Sequence, residues 1–196
     1  MVDPPNGKIP WLPNAKHGNG GSYGGFVPAS VLDLHSWDRC LSRGLPGVMA
    51  PSAYNNGFQI LQTPDSVVIL YEMVHDARII HMDGSPHISD NIVQWMGDSR
   101  GHWDGNTLVV ETTNFDPRTN FRGSRDTLHL IERYTRTAPN AIDYRFTVDD
   151  PKTFTRPFTV VRPMRRETGA ILVFEYACHE GNYAMANILK GARAKE

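Results

Sequence analysis

The sequence predicts a mainly-β fold, an antiparallel up-and-down β-barrel with an irregular N-terminal arm and a C-terminal helix, and three observations predict it. First, WMGDSRGHWDGNTLVVETTNF, residues 95–115, places Asp104-Gly105-Asn106 between two short runs of aromatic and β-branched residues, a strong hairpin signal. After that turn Thr107, Val109, Glu111 and Thr113 share one face and Leu108, Val110 and Thr112 the other. Neither face is purely polar, as in a barrel wall covered on both sides. Second, the same alternation of strand and tight turn recurs from Phe58 onward. Third, residues 1–57 are dominated by Gly, Pro, Asn and Ser, which leaves little room for regular structure.

In chain order, the arm is expected to wrap the outside of the barrel or close one end, with its first twenty-odd residues reading as a disordered tail. Ser30 then caps a short helix in which Val31, Leu34, Trp37 or Asp38, and Leu41 keep helical spacing. Strands follow at FQILQT, SVVILYEMVHD and RIIHM, separated by Pro64-Asp65 and closed by Asp83-Gly84. A polar connection, 85–94, leads into the hairpin, and a basic loop, DPRTNFRGSRD, leads out of it. TLHLIERYTRT and AIDYRFTVDD turn at Pro139-Asn140; FTVVRPMRR follows, with Pro163 marking an edge or bulge; AILVFEYAC comes last. Nine antiparallel strands over 58–181 are most economically closed into a barrel, because closure removes exposed edges. Over 182–196, Asn182 caps a helix whose Met185, Ile188, Leu189 and Ala192 form an apolar stripe, expected to pack on the barrel.

A chain of 196 residues suits one domain. Its 20 basic and 21 acidic residues leave a formal charge of −1, which gives no electrostatic reason to expect nucleic acid or an anionic membrane as partner. No apolar run approaches the roughly 20 residues that span a bilayer. The opening MVDPPNGKIPWLP lacks the regions of a signal peptide yet begins inside a Pro-rich segment, so Met1 is expected to stand where a leader was removed, the mature chain being periplasmic or secreted. Cys40 and Cys178 either form a bridge, worth on the order of 5 kcal/mol for so long a loop in the chain-entropy model, or remain buried free thiols; spacing does not decide. A homodimer is compatible with this composition.

The meander with its terminal helix resembles lipocalin-like, or calycin-like, barrels at the level of fold. In more detail FQILQTPDSVVILYE, MDGSPH, WMGDSRGHWDGNTLVVETTNF, ERYTR, DDPKTFTRPFTV and FEYACHEGNYAM resemble segments of a large family of exported bacterial proteins without a characterised function. That resemblance extends from Trp37 to Arg193 and takes in VDPPNGKIP; it implies a leader in the precursor and assigns no catalytic residue.

Candidate chemistry rests on glutamates that share strand faces with apolar residues: Glu72 beside Val68, Leu70 and Val74; Glu111 beside Val109; Glu132 beside Leu128, Leu130 and Tyr134; Glu175 beside Ile171 and Val173. A carboxylate so placed is costly unless paired, and burial moves it toward acid-base use; cross-strand pairing with arginine is the competing, purely structural reading. Arg78, His129, Arg133 and Tyr144 are the partners at hand, and a one-residue register change exchanges His129 and Arg133 with Glu132 between lumen and exterior. Tyr144 belongs inside, because Ile142, Tyr144, Phe146 and Val148 alternate against polar neighbours. His75 is a further acid-base candidate, and Tyr71, His87, Trp103, Phe146, Glu175 and Tyr176 are expected to line a ligand site. The eight histidines show no close-spaced ligand pattern, so no metal is expected; with no nucleotide or dinucleotide fingerprint, no organic cofactor is expected either. Cys178-His179-Glu180 is a poor nucleophile motif, since adjacent residues on an extended chain point apart.

The expectation is a barrel that holds a small, mostly apolar molecule and acts on it by proton transfer, as a lyase, isomerase, cyclase or hydratase, with Glu72 or Glu132 and a histidine as acid and base. A non-catalytic periplasmic carrier and a filled interaction module are the alternatives. An enzyme needs a solvent-connected site with converging ionisable groups; a carrier needs only the site.

Overall fold

The computed structural model describes residues 1–15, 27–169 and 173–194. Eight strands form one sheet in chain order: β1 (Phe58–Gln62), β2 (Ser66–Tyr71), β3 (Ala77–His81), β4 (Asp98–Asp104), β5 (Thr107–Thr113), β6 (His129–Ala138), β7 (Ala141–Asp149) and β8 (Phe158–Arg165). The sheet curls into a half-barrel. Its first and last strands approach, with the Arg162 guanidinium 5.6 Å from the centre of the Phe58 ring, but the strand order ends at β1 and β8 without joining them. The mainly-β architecture with its terminal helix is therefore as the residue pattern predicts, consistent with a generic calycin-like fold, and it stands open along a seam.

Neighbouring strands are antiparallel except β3 and β4, which run parallel through Ile80↔Ser99 and His81↔Arg100. This corrects the expectation of an antiparallel meander throughout. The cause is the long connection 82–97, since a parallel pair needs a crossover of a dozen or more residues whereas a hairpin needs two. Gly101 sits at this junction: a Cβ there would lie 2.6 Å from Met82 Sδ and 2.8 Å from Ile80 Cγ2, so only glycine admits the approach of the two strands. The hairpin turn forms where predicted, with Gly105 at φ +60°.

Two strand expectations are corrected. β2 stops at Tyr71 instead of running to Asp76, because Val74 and His75 turn at φ +65° and +52°. Of the expected ninth strand, 170–172 lie outside the described residues, and 173–177 run off the sheet. There side chains take the N–H groups that a ladder would use: Tyr176 N–H donates to His75 Nδ1 at 2.9 Å.

The expected tail is ordered over 1–15, and the rest of it lies outside the described residues. Val2 N–H donates to the Thr159 carbonyl at 2.9 Å, Thr159 N–H donates to the Asp3 carbonyl at 2.7 Å, and Arg156 pairs with Asp3 at 2.5 Å. The arm thus covers the outer edge of β8, which an open sheet would otherwise expose. Ser30 caps as expected, with Leu32 N–H donating to its Oγ at 3.2 Å, but the helix is one 3-10 turn, Val31–Asp33. Cys40 and Cys178 form a disulfide with their Cα atoms 5.6 Å apart. The terminal helix α1 (Ala184–Arg193) has Tyr183, and not the expected Asn182, at its N-cap; Asn182 stands one residue earlier, where its Oδ1 accepts the Ala184 N–H and its Nδ2 donates to the Asp38 carbonyl. Its predicted stripe is its shielded side: Ala192 is buried and Met185, Ile188 and Leu189 partly so.

The core fills the concave face of the sheet with Val67, Ile69, Tyr71, Ile80, Leu108, Val110, Leu130, Tyr144, Phe146, Val148 and Phe158. Replacing Cys40 and Cys178 by serine is expected to lower the urea-derived unfolding free energy by about 2–5 kcal/mol while leaving the β-sheet circular dichroism intact. Unchanged stability would show that the arm-to-tail link does not constrain the unfolded chain.

Candidate functional site

Alternation along β3, β6 and β7 turns Arg78, Glu132, Tyr134 and Tyr144 to the concave side, where all four are buried. Arg78 Nη2 donates to Glu132 Oε2 at 2.5 Å and to Thr112 Oγ1 at 2.7 Å, and Arg78 Nε donates to Ser99 Oγ at 2.9 Å. The other carboxylate oxygen, Oε1, accepts the hydroxyls of Tyr134 at 2.9 Å and Tyr144 at 2.7 Å. One guanidinium therefore joins β3 to β4, β5 and β6. Burial alone would lower the arginine, but the Glu132 carboxylate outweighs it and holds Arg78 well above its ordinary value. Burial, reinforced by the same carboxylate, pushes Tyr134 and Tyr144 well up; it also pushes up Tyr71, against the opposing field of Arg78. Tyr71 Oη and Arg78 Nη1 are buried and lack a hydrogen-bond partner among the described residues.

The register answers where the other candidates lie. With Glu132 inside, the odd positions of β6 face outward: His129 pairs with Glu111 at 2.6 Å and Arg133 with Asp104 at 2.7 Å, both on the convex surface. Trp103 is half-exposed on β4, and Glu175 is exposed outside the sheet. None of the four joins the interior cluster: the pleat that buries Glu132 turns His129 and Arg133 out, Trp103 shares the concave row of Leu108 and Tyr134 but lies at its exposed hairpin end, and Glu175 is off the sheet. Phe146 lies inside against Tyr144. His87 bonds Asp98 through Nδ1 at 2.8 Å, and its Nε2 is buried without a partner among the described residues. Burial works to raise Asp98, but hydrogen bonds from Arg100, His87 and the Ile88 N–H prevail and hold it below its ordinary value. Tyr176 stacks on Tyr54 with ring centres 6.4 Å apart.

Solvent enters elsewhere. A cleft of about 790 Å³ opens along the seam, with Phe58 and Gln59 of β1 on one side, Arg162 and Met164 of β8 on the other, and Leu70, Glu72 and His75 at its end. Glu72 is therefore not an interior residue: β2 has already ended, and its Oε2 accepts the Gly57 N–H at 3.0 Å. His75 Nδ1 is the acceptor for Tyr176 N–H, which places the proton of a neutral ring on Nε2. A β-branched residue at positive φ, Val74, precedes it; such a backbone costs on the order of 1–3 kcal/mol and is held only by its surroundings.

Arg162 was not among the residues singled out from the sequence. It occupies the concave row of β8, Phe158, Val160, Arg162 and Met164, opposite Tyr144. A cation inside an otherwise apolar alternation was its signal, masked by the following Pro163 and Arg165-Arg166. Among the described residues its Nη1 is buried without a hydrogen-bond partner and no carboxylate pairs with it. Burial lowers this guanidinium below the ordinary arginine value, with Tyr144 opposing.

Among the described residues no helix is long and apolar enough to cross a membrane, and no three His, Cys, Asp or Glu side chains are grouped to hold a metal ion. Compared with protein-family models, curated proteins and solved structures, the chain matches none.

Two outcomes follow from the interior cluster. Glu132→Gln leaves Arg78 buried without its counter-charge and is expected to lose about 3–5 kcal/mol of stability, whereas Arg78→Met with Glu132→Leu recovers most of it; a double variant no more stable than the single one would contradict that balance. Tyr71, Tyr134 and Tyr144 have folded-state pKa values raised above the unfolded value, so their contribution is complete below about pH 10 and is lost as pH rises, by up to about 4 kcal/mol per pH unit for the three together. Absorbance at 295 nm should therefore show these three of the seven tyrosines ionising only together with unfolding.

Proposed function

We propose that the seam cleft binds a small amphipathic molecule, its anionic group on Arg162 and its apolar body against Phe58, Leu70 and Met164. The observation that carries this reading is the state of Arg162: a half-buried cation in an apolar wall, with a buried N–H and no acidic partner among the described residues. A charge held this way is costly unless something neutralises it, and a carboxylate or similar oxyanion entering the cleft does so with a charge-assisted hydrogen bond. The cleft volume of about 790 Å³ lies within the range of small-molecule sites.

Proton transfer on that molecule, the lyase or isomerase reading, is favoured by one further observation. His75 is held at the end of the cleft by a strained backbone and by the Tyr176 N–H, and its Nε2 is left for a ligand, with Glu72 beside it. Reversible carriage is the simpler reading if no proton moves. The interior Glu132 is assigned to the core in either case, since its oxygens are already occupied by Arg78, Tyr134 and Tyr144. The Cys40–Cys178 bridge supports a periplasmic or secreted setting, because such bonds persist in oxidising compartments.

Calorimetric titration with dodecanoate and dodecanol separates the charge from the apolar body. Arg162→Met is expected to weaken dodecanoate about 10- to 100-fold, the loss of one charge-assisted bond, and to leave dodecanol unchanged. Equal effects on both, or no dodecanoate binding by the unmodified protein, would remove the anionic-ligand reading. Deuterium uptake from solvent by a panel of small acids with activated α-protons tests catalysis: His75→Gln abolishes the exchange if His75 is the base, and no exchange with the unmodified protein leaves carriage.

A further inference from the structure

The basic loop after the hairpin and the WDRCLSRG stretch of the arm contribute five arginines between them: Arg118, Arg122 and Arg125 from the loop, Arg39 and Arg43 from the arm. In a chain of formal charge −1 they have no electrostatic reason to gather, yet all five line one pocket of about 660 Å³, which shares no lining residue with the seam cleft. Among the described residues Asp33 is the one carboxylate in its wall. That carboxylate is already committed to the cap of the arm's 3-10 turn, accepting the Ser30 N–H at 2.8 Å and the Ala29 N–H at 3.1 Å.

Two of the arginines are held by neutral partners. Arg43 Nη2 donates to the Ala50 carbonyl at 3.0 Å and its guanidinium lies 4.7 Å from the centre of the Trp37 ring; Arg125 Nη1 donates to the Pro117 carbonyl. Arg118 pairs with Asp116. Arg39 Nε is buried with no hydrogen-bond partner there. The excess of positive charge is felt by His35 in the same wall, which is lowered by burial first and, despite Asp38, by Arg43 and Arg39 as well. The walls are tied together before any ligand arrives: Trp95 Nε1 donates to the Ser42 carbonyl at 3.0 Å, joining the segment before β4 to the arm, and the disulfide anchors the arm at Cys40.

We propose that this arginine pocket is a second binding site, specific for the phosphoryl group of a small phosphorylated molecule. Planar guanidinium groups match phosphate oxygens two at a time, and cations already placed by carbonyls and an aromatic face lose little freedom on meeting them. The charge is local and concave, on the scale of a small molecule; the remainder of the chain has more acidic than basic residues and offers no basic track for a nucleic acid.

The test is calorimetric titration of the intact protein with inorganic pyrophosphate, first at low and then at 150 mM salt, alongside citrate. The expected result is saturable binding that weakens at the higher salt, that citrate matches at least tenfold less tightly, and that Arg39→Met or Arg43→Met each reduces tenfold or more. Arg125→Met, at an exposed position, gives the same reading if either arm variant fails to fold. Arg133→Gln on the convex surface is the charge control and leaves binding unchanged. The proposal is overturned if the unmodified protein shows no saturable binding, if citrate binds as tightly, if Arg133→Gln weakens binding as much as the pocket variants do, or if Arg162→Met abolishes it and so moves the anion to the seam.

Discussion

The ion pair between Arg78 and Glu132 is the constraint on which the rest of the sheet depends. A charge pair in an apolar interior tolerates few geometries, since each charge must find its partner and its remaining donors or acceptors at once. Here the guanidinium reaches β4, β5 and β6 from β3, and the carboxylate gathers hydroxyls from β6 and β7. A slip of one residue between β5 and β6 would turn Glu132 outward and leave Arg78 unpaired inside. The network thus fixes the register of the strands it joins, including the parallel pair, where only two residue positions are matched in the ladder.

Much of this was legible in the residues, and where it was not the reason is physical. Asp104-Gly105-Asn106 marked its hairpin because the turn is decided locally; AIDYRFTVDD put Tyr144 inside because its alternation is unbroken; Pro163 marked an edge strand, and β8 is the last of the sheet. The parallel join of β3 to β4 could not be read, since strand direction is a long-range property and the 82–97 connection has no periodicity. SVVILYEMVHD looks like one strand to Asp76, and it is cut short by the backbone at Val74 and His75, positions whose residue types give no warning of positive φ. That cut is what moves Glu72 from an expected interior row to the rim of the seam.

The site was half legible for the same reason. Glu132, Arg78, Tyr71, Tyr144 and Phe146 are all buried, Tyr144 and Phe146 on the side their alternation implies and Glu132 through a register the sequence left open, but convergence and access turn out to be separate properties. The groups that meet most closely are packed into the core, and the residues nearer solvent are those at interrupted elements: Glu72 and His75 where β2 breaks off, Arg162 on the last strand of the sheet, Arg39 and Arg43 in an arm with little regular structure among its described residues. A sheet that had closed on itself would have buried Arg162 and left no seam.

The Cys40–Cys178 bond has a consequence for the chain as a covalent object. It turns residues 40–178, which contain every strand of the sheet, into a single ring, with the N-terminal segment and α1 as its two free ends. A protease that nicks one surface loop within that ring, whether 85–94 or 116–126, opens the ring without releasing a fragment, and the sheet keeps both halves at high local concentration. Such a molecule survives a first cut as one molecule.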